Sequence, residues 1–406
     1  MKISLSFAVA LLFAYRQAVM LHELVFIHSC MKHLKQKTLW FDRESTMGKL
    51  ATSTDSFFTS QENAYKLRSC KLLRKMKLIT FHALAIFLFL TDRFKNCIIG
   101  ISKKIKVPAP EVALPALLLF TITLIDTLFG YKSLFIEKSY SFKQFSPSWI
   151  VPLMFVLEIF LLMHLVAYFL SVFGLKFVAL CYLIVCVQAV FRISGYTGKQ
   201  SDTMMKIPIS TFNDDVKHML KSEYLDESVY ATSKQKITMN ALHAGVLDTK
   251  RIEVHGGIVE TVPEDLNVIL IHEIGHSIDN IMLKRLLLEC FITFLEMLML
   301  AWIFRSGHET LGNTDMSPEA FTILTAVLYA CMVKMIVYTF YNLYSQNSEI
   351  FADSIVKDKG YKDDLFRILF KLTLDNGCVI DTTFLYNSMV SLHPSIRKRI
   401  ESNADD

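Results

Sequence analysis

The sequence predicts a mostly α, polytopic bundle of about seven membrane-crossing helices with a small polar α+β region set into it. Three observations lead there. Of the 406 residues, 52% are hydrophobic and 20% charged, against roughly 45–50% and about 25% in soluble domains. The surplus is gathered into runs long enough to cross a hydrocarbon core of about 30 Å, which takes roughly 20 helical residues. A long polar stretch, Ser194–Asn280, interrupts those runs. With 14 Gly and 9 Pro, the chain is neither a low-complexity linker nor a collagen-like repeat.

The runs lie near Ile3–Ile27, Leu78–Leu90, Val112–Gly130, Trp149–Phe173, Leu175–Ile193, Leu283–Phe304 and Phe321–Tyr344. The first opens on Met1-Lys2 and carries the small residues Ala14 and Ala18, as a signal peptide would, yet it continues past Arg16 to Ile27 and reads as an uncleaved span. The second is short, halted by Asp92 and Arg93. It crosses by continuing through Cys97–Ile101, or it lies at the interface. Between these two runs, basic residues from Lys32 to Lys77 far outnumber Asp42, Glu44, Asp55 and Glu62. Such loops stay cytosolic, and seven spans put Ser194–Asn280 on the same side. The basic stretch Arg93–Lys106 then faces the other side, against the same rule.

Asp126, Glu158, His164, Glu296 and Lys334 fall within apolar runs, where an Asp or Lys costs about 2.5–3.5 kcal/mol on insertion scales. Either they pair between helices or they line a wet interior. Eight cysteines without any C-x-x-C predict no disulfide framework and no cysteine metal site. The net charge of +5 gives no reason to expect a nucleic acid partner. Four segments are expected: 1–193 with spans one to five and the basic loop 28–77, the polar 194–282, spans six and seven at 283–344, and a C-terminal segment 345–406.

Chemistry is concentrated in the polar stretch. Gly245–Asp248 and Arg251–Val254 read as hairpin arms about Asp248-Thr249-Lys250. Thr261-Val-Pro-Glu264 resembles a capping box with Pro263 in the first turn. The helix that follows carries His272-Glu273-Ile-Gly-His276 in its middle. Two imidazoles four residues apart share one helix face and can hold one Zn²⁺. Glu273 stands beside them, where a carboxylate can take a proton from a metal-activated water. A third ligand is required. Met282 excludes a metzincin-like histidine, and Glu296, twenty residues past His276, sits unsupported in an apolar run. Glu349-Ile-Phe-Ala-Asp353 is the better candidate, with Glu349 as ligand and Asp353 orienting a ligand His through its second ring nitrogen.

These strings resemble the type I CAAX prenyl proteases, seven-span zinc endopeptidases of the endoplasmic reticulum and nuclear envelope membrane. His272-Glu273-Ile-Gly-His276 resembles the family's H-E-x-G-H, and Glu349-x-x-Ala352-Asp353 its E-x-x-A-D. Asn240-Ala241, Gly245 and Lys250-Arg251-Ile252 resemble N-A-Y…G…K-R-I, and His393-Pro394 with Arg399 the closing H-P-P-x-x-x-R. Phe135-Ile136-Glu137-Lys138…Phe142 and Ser60-Gln61-Glu62 are similar to I-E-E-K-x-G-F and S-Q-E. The resemblance implies that His272, His276 and Glu349 bind one zinc and Glu273 is the general base. It implies that Asn240 and Ala241 lie on an edge strand pairing with extended substrate, and that His393 and Arg399 contact the substrate or the developing oxyanion. It further implies helices enclosing a water-filled chamber, a prenylated CAAX protein as substrate with release of its last three residues, and a monomer in the bilayer.

There are departures. Ser395, Ser277, the Gln346-Asn347 pair and Leu242 stand where the family has Pro, Trp, an Arg pair and an aromatic. None removes a ligand or the base; they bear on substrate preference. Rival readings are a membrane quality-control metalloprotease without a prenyl requirement and a non-catalytic zinc scaffold. A transporter is a third, weakened because no Gly/Pro-interrupted pair of spans recurs in two halves.

Overall fold

Helices form nearly everywhere the apolar patterning placed them. The structure, a computed structural model, describes residues 5–138, 150–194, 204–232, 240–246, 249–255, 263–307, 309 and 316–404. Its longer helices are α1 (Leu5–Lys35), α2 (Thr46–Thr52), α3 (Phe57–Leu90), α4 (Asp92–Lys104), α5 (Ala113–Lys138), α6 (Ile150–Phe173) and α7 (Leu175–Ser194). Then come α8 (Asp214–Ser222), α9 (Pro263–Ile278), α10 (Ile281–Trp302), α11 (Pro318–Leu328), α12 (Lys334–Asp358), α13 (Lys362–Asp375), α14 (Phe384–Val390) and α15 (Ile396–Ala404). One four-stranded sheet joins β1 (Met204–Lys206), β2 (Val229–Thr232), β3 (Asn240–Ala244) and β4 (Arg251–His255) in the order β1-β2-β4-β3. The fold class is the expected one, mostly helical with a small sheet.

Leu5–Lys35, Pro110–Thr127, Ile281–Gly307 and Pro318–Asp358 are long and apolar enough to cross a membrane, and Glu158–Phe173 and Leu175–Phe191 are shorter apolar helices. The second run, short in the sequence, is part of a longer helix. Leu78–Leu90 is the end of the 34-residue α3, whose earlier turns carry the basic residues. The chain bends at Thr91 and a separate helix, α4, starts at Asp92, so Cys97–Ile101 is helical but belongs to α4 and is not a continuation of α3.

Contacts sort the chain into two units. The first comprises Met1–Met20, Cys70–Ile184 and Thr293–Ile336. Its core joins Val9 of α1, Ile86 and Phe89 of α3, Leu114 and Leu118 of α5, Leu170 of α6, and Phe321 and Leu324 of α11. Outward faces are also apolar, with Leu161 70% and Tyr168 60% exposed, as suits a surface in contact with lipid. Two of the embedded ionisable residues are paired here. Tyr329 donates to Glu296 Oε1 at 2.6 Å, and His82 Nε2 lies 3.1 Å from Asp126 Oδ1.

The second unit comprises Leu21–Ser69, Val185–Ile292 and Val337–Asp406. Helix α9 is buried almost all round, from Leu266 to Ser277, as an apolar helix inside a core must be. Pro263 occupies its first position and Glu264 and Asp265 its first turn, both suited to a helix N-terminus. Asn280 then turns left-handed at φ 52° and ends it. Thr261 of the expected capping box lies outside the described residues.

The hairpin forms, with a different first arm. β3 pairs antiparallel with β4 from Asn240↔His255 to Ala244↔Arg251, so Gly245 and Val246 of the expected arm are outside the strand, and Leu247 and Asp248 lie outside the described residues. Gly245 is the reason. Its φ is +84°, and a Cβ there would sit 2.0 Å from the Thr249 carbonyl oxygen, so the chain leaves the strand at this glycine.

A buried carboxylate fastens the N-terminal helices to the C-terminal segment. Glu23 of α1 is fully buried. It accepts from Arg68 Nε at 3.0 Å, Thr383 N at 2.9 Å and Thr383 Oγ1 at 2.7 Å. Glu23→Ala leaves the arginine and a buried N–H without their acceptor. It is expected to lower stability by about 3–5 kcal/mol, read as a fall in the Tm of the detergent-purified protein. Glu23→Gln, which keeps an acceptor, is expected to cost less.

Candidate metal centre

Helical spacing on two elements builds the site. His272 and His276 are one turn apart on α9, and Glu349 and Asp353 are one turn apart on α12. The helices can meet because Gly275 lacks a side chain: a Cβ there would lie 3.0 Å from Ala352 Cα. Among the described residues, His272, His276 and Glu349 bring three ligand-type atoms within 4.8 Å of one another, all from buried side chains. Glu349 Oε2 lies 3.5 Å from His272 Nε2, and Oε1 lies 3.4 Å from His276 Nε2. A tetrahedral ion with bonds of about 2.1 Å holds its ligand atoms about 3.4 Å apart. The residues therefore fit a divalent metal.

Each histidine is fixed from behind. His272 Nδ1 lies 2.9 Å from Asp353 Oδ1. Asp353 is in turn clamped by Arg399, whose Nε and Nη2 donate to its two oxygens at 2.8 and 2.6 Å. Behind His276, Ser348 Oγ lies 3.4 Å from Nδ1 and donates to Asp279 Oδ2 at 2.8 Å. Burial disfavours the His272 imidazolium, yet hydrogen bonds to Asp353 and Glu349 outweigh it and push the pKa up to about 10. The carboxylates thus demand positive charge at this point. A divalent cation meets the same demand in exchange for the proton.

Of the remaining predicted residues, Ala241, Glu273, His393 and Arg399 line one cavity of ≈ 260 Å³ together with Glu349, and Asn240 is not in its lining. Glu273 Oε2 accepts the backbone N–H of His243 at 2.7 Å, which ties the carboxylate to strand β3. Among the described residues that strand is the sheet's outer member, and no described strand pairs with its far edge. Asn240 and Ala241 lie on it. His393 Nδ1 is 3.1 Å from Glu349 Oε1, with a side chain 65% exposed. Arg399 is buried, and besides gripping Asp353 it places Nη1 3.5 Å from Glu349 Oε2. It also belongs to the cavity lining.

Several contributors escaped the sequence reading. Ser277, noted only as a departure, donates to Glu223 Oε2 at 2.8 Å and accepts from Lys250 Nζ at 2.9 Å, knotting the end of α9 to the sheet. Gln346 donates to Ser391 O at 3.0 Å and so holds the loop carrying His393. Its signal was its place three residues before Glu349, on the same helix face. His243 and Arg285 also line the cavity. Nothing in their spacing marks them.

Residues 214–404 match Peptidase family M48. CAAX prenyl protease 1 of Saccharomyces cerevisiae is 26% identical over 190 residues, 41% of this chain and 41% of that protein. The crystal structure of S. mikatae Ste24p covers 100% of both chains at a TM-score of 0.68 and 18% identity. The C-terminal part of the chain is thus similar to peptidase family M48, a stretch of 190 residues is similar to the yeast protease, and the whole chain shares the fold of Ste24p. The aligned stretch spans well under half of the yeast relative, and the likeness over the full length is one of fold.

Two outcomes test the centre. Asp353→Asn weakens the hold on His272 and is expected to lower zinc affinity roughly 10–100-fold, measured by competition with a chelator. Gly275→Val forces α9 away from α12; elemental analysis of the purified variant is expected to find little bound zinc.

Proposed function

We propose that the protein is a zinc-dependent endopeptidase of the endoplasmic reticulum membrane that removes the last three residues of prenylated CAAX proteins. The observation that carries the peptidase reading is the convergence of His272, His276 and Glu349 beside Glu273 and an open strand edge. Its substrate class is supported by the yeast relative and by the full-length likeness to Ste24p.

His272, His276 and Glu349 would hold the zinc. When bound, it polarises a peptide carbonyl and lowers the pKa of a water from 15.7 towards about 7. Glu273, fixed by the His243 N–H, accepts a proton from the attacking water and returns it to the leaving amine. The free edge of β3 at Asn240–Ala244 pairs with the extended substrate through main-chain hydrogen bonds. Base and substrate strand are thereby held in one register, because the same residue that anchors Glu273 belongs to that strand. The exposed ring of His393 offers a donor to the carbonyl oxygen as charge develops. Arg399 holds Asp353 and, through it, the orientation of His272.

The test is cleavage of a farnesylated CAAX peptide by the purified protein and by Glu273→Gln. The variant is expected to retain zinc and lose activity by roughly 10²–10⁴-fold. Equal turnover would remove Glu273 from the mechanism. Equal or better cutting of unprenylated chains would favour the quality-control reading.

A further inference from the structure

Arg285 differs from the other cations of the site. Arg399 is forked onto Asp353, and Lys250 is paired with Glu223 at 3.4 Å. Arg285, in the second turn of α10, lines the same cavity, yet its recorded bond is to a neutral group, Nε donating to Ser345 Oγ at 3.0 Å. No carboxylate pairs with it among the described residues. The cavity's own acids are taken, Glu349 by the histidines and Glu273 by the His243 N–H.

On β3, His243 lines the same cavity; it is buried to 7% exposure, and both of its ring nitrogens lack a partner. Burial, reinforced by the cationic side chains of Lys250 and Arg285, pushes its pKa down to about 3, so the ring is neutral and keeps one N–H donor. Apolar residues of α13, Leu365, Ile368 and Leu372, form another wall. A guanidinium without a counter-ion beside an unsatisfied imidazole costs free energy unless an anion completes them.

Resting on the endopeptidase reading above, we propose that Arg285 and His243 form the subsite that receives the substrate's C-terminal carboxylate. Arg285 supplies the charge and a fork matched to a carboxylate. His243 supplies the second donor, and the α13 wall accepts the apolar side chains of the terminal residues. The enzyme then selects chains by their end as well as by their lipid.

The experiment uses full-length, zinc-loaded Glu273→Gln protein in lipid nanodiscs and measures binding of farnesylated CAAX peptides by fluorescence anisotropy. The free acid is expected to bind about 10–100-fold more tightly than the C-terminal amide, the size of a charge-assisted hydrogen bond. Adding Arg285→Gln is expected to reduce that ratio to about one with zinc content and Tm unchanged, while Arg285→Lys retains part of it. A ratio near one before Arg285 is changed, or one that survives Arg285→Gln, overturns the assignment. So does a peptide amide ending in Asp that binds as tightly as the free acid, since the site would then read an acidic side chain. Cleavage of the prenylated peptide by unmutated protein reports separately on the proposed function. An Arg285-dependent preference for the acid of an unprenylated peptide, without prenyl-dependent cleavage, would uphold the subsite and refute the substrate class.

Discussion

The approach of α9 to α12 at Gly275 and Ala352 is the constraint on which the rest depends. Each helix contributes one pair of functional side chains spaced by four residues, His272 with His276 and Glu349 with Asp353. A pair on one helix can place two groups on a common face, but it cannot enclose an ion. Closure comes from the second helix, and that helix comes close enough because a glycine faces an alanine at the contact. Packed interiors do not relax by an ångström without loss, so the metal geometry inherits its exactness from this contact.

Charge balance is the second layer. Glu349, Asp353 and Arg399 are all buried, and isolated buried charges are costly. Each is compensated: the aspartate lies between His272 and Arg399, and the glutamate among His272, His276, His393 and Arg399. The last helix, α15, is therefore coupled to the ligand set through Arg399, although it supplies no ligand. Arg285 stands out against this economy, since its charge is the one in the cavity that the described carboxylates leave to a visitor.

The sheet serves the site through its edge. β4 lies inside the sheet, joined parallel to β2 and antiparallel to β3, and this leaves β3 with one side that no strand among the described residues pairs with. The His243 N–H projects from that side to Glu273. The small sheet and the metal-bearing helix are thus joined at the residue that does the proton chemistry. Ser277, Lys250 and Glu223 reinforce the junction one turn farther along α9.

What the sequence determined by itself was everything that short-range periodicity controls. Apolar runs became helices, His272, Glu273 and His276 fell on one helix, and Glu349 and Asp353 fell on one face of another, because i,i+4 spacing is a property of the helix alone. The hairpin was legible but misplaced, since only the closed turn shows Gly245 at positive φ against Thr249. Leu78–Leu90 was readable as apolar, but its continuity with the basic turns of α3 depends on the helix not breaking before Thr91. Tertiary structure alone decided the roles of Ser277, Gln346, His243 and Arg285. Their meaning lies in what faces them from residues dozens of positions away, and a polar side chain is buried, paired or left waiting only by its surroundings.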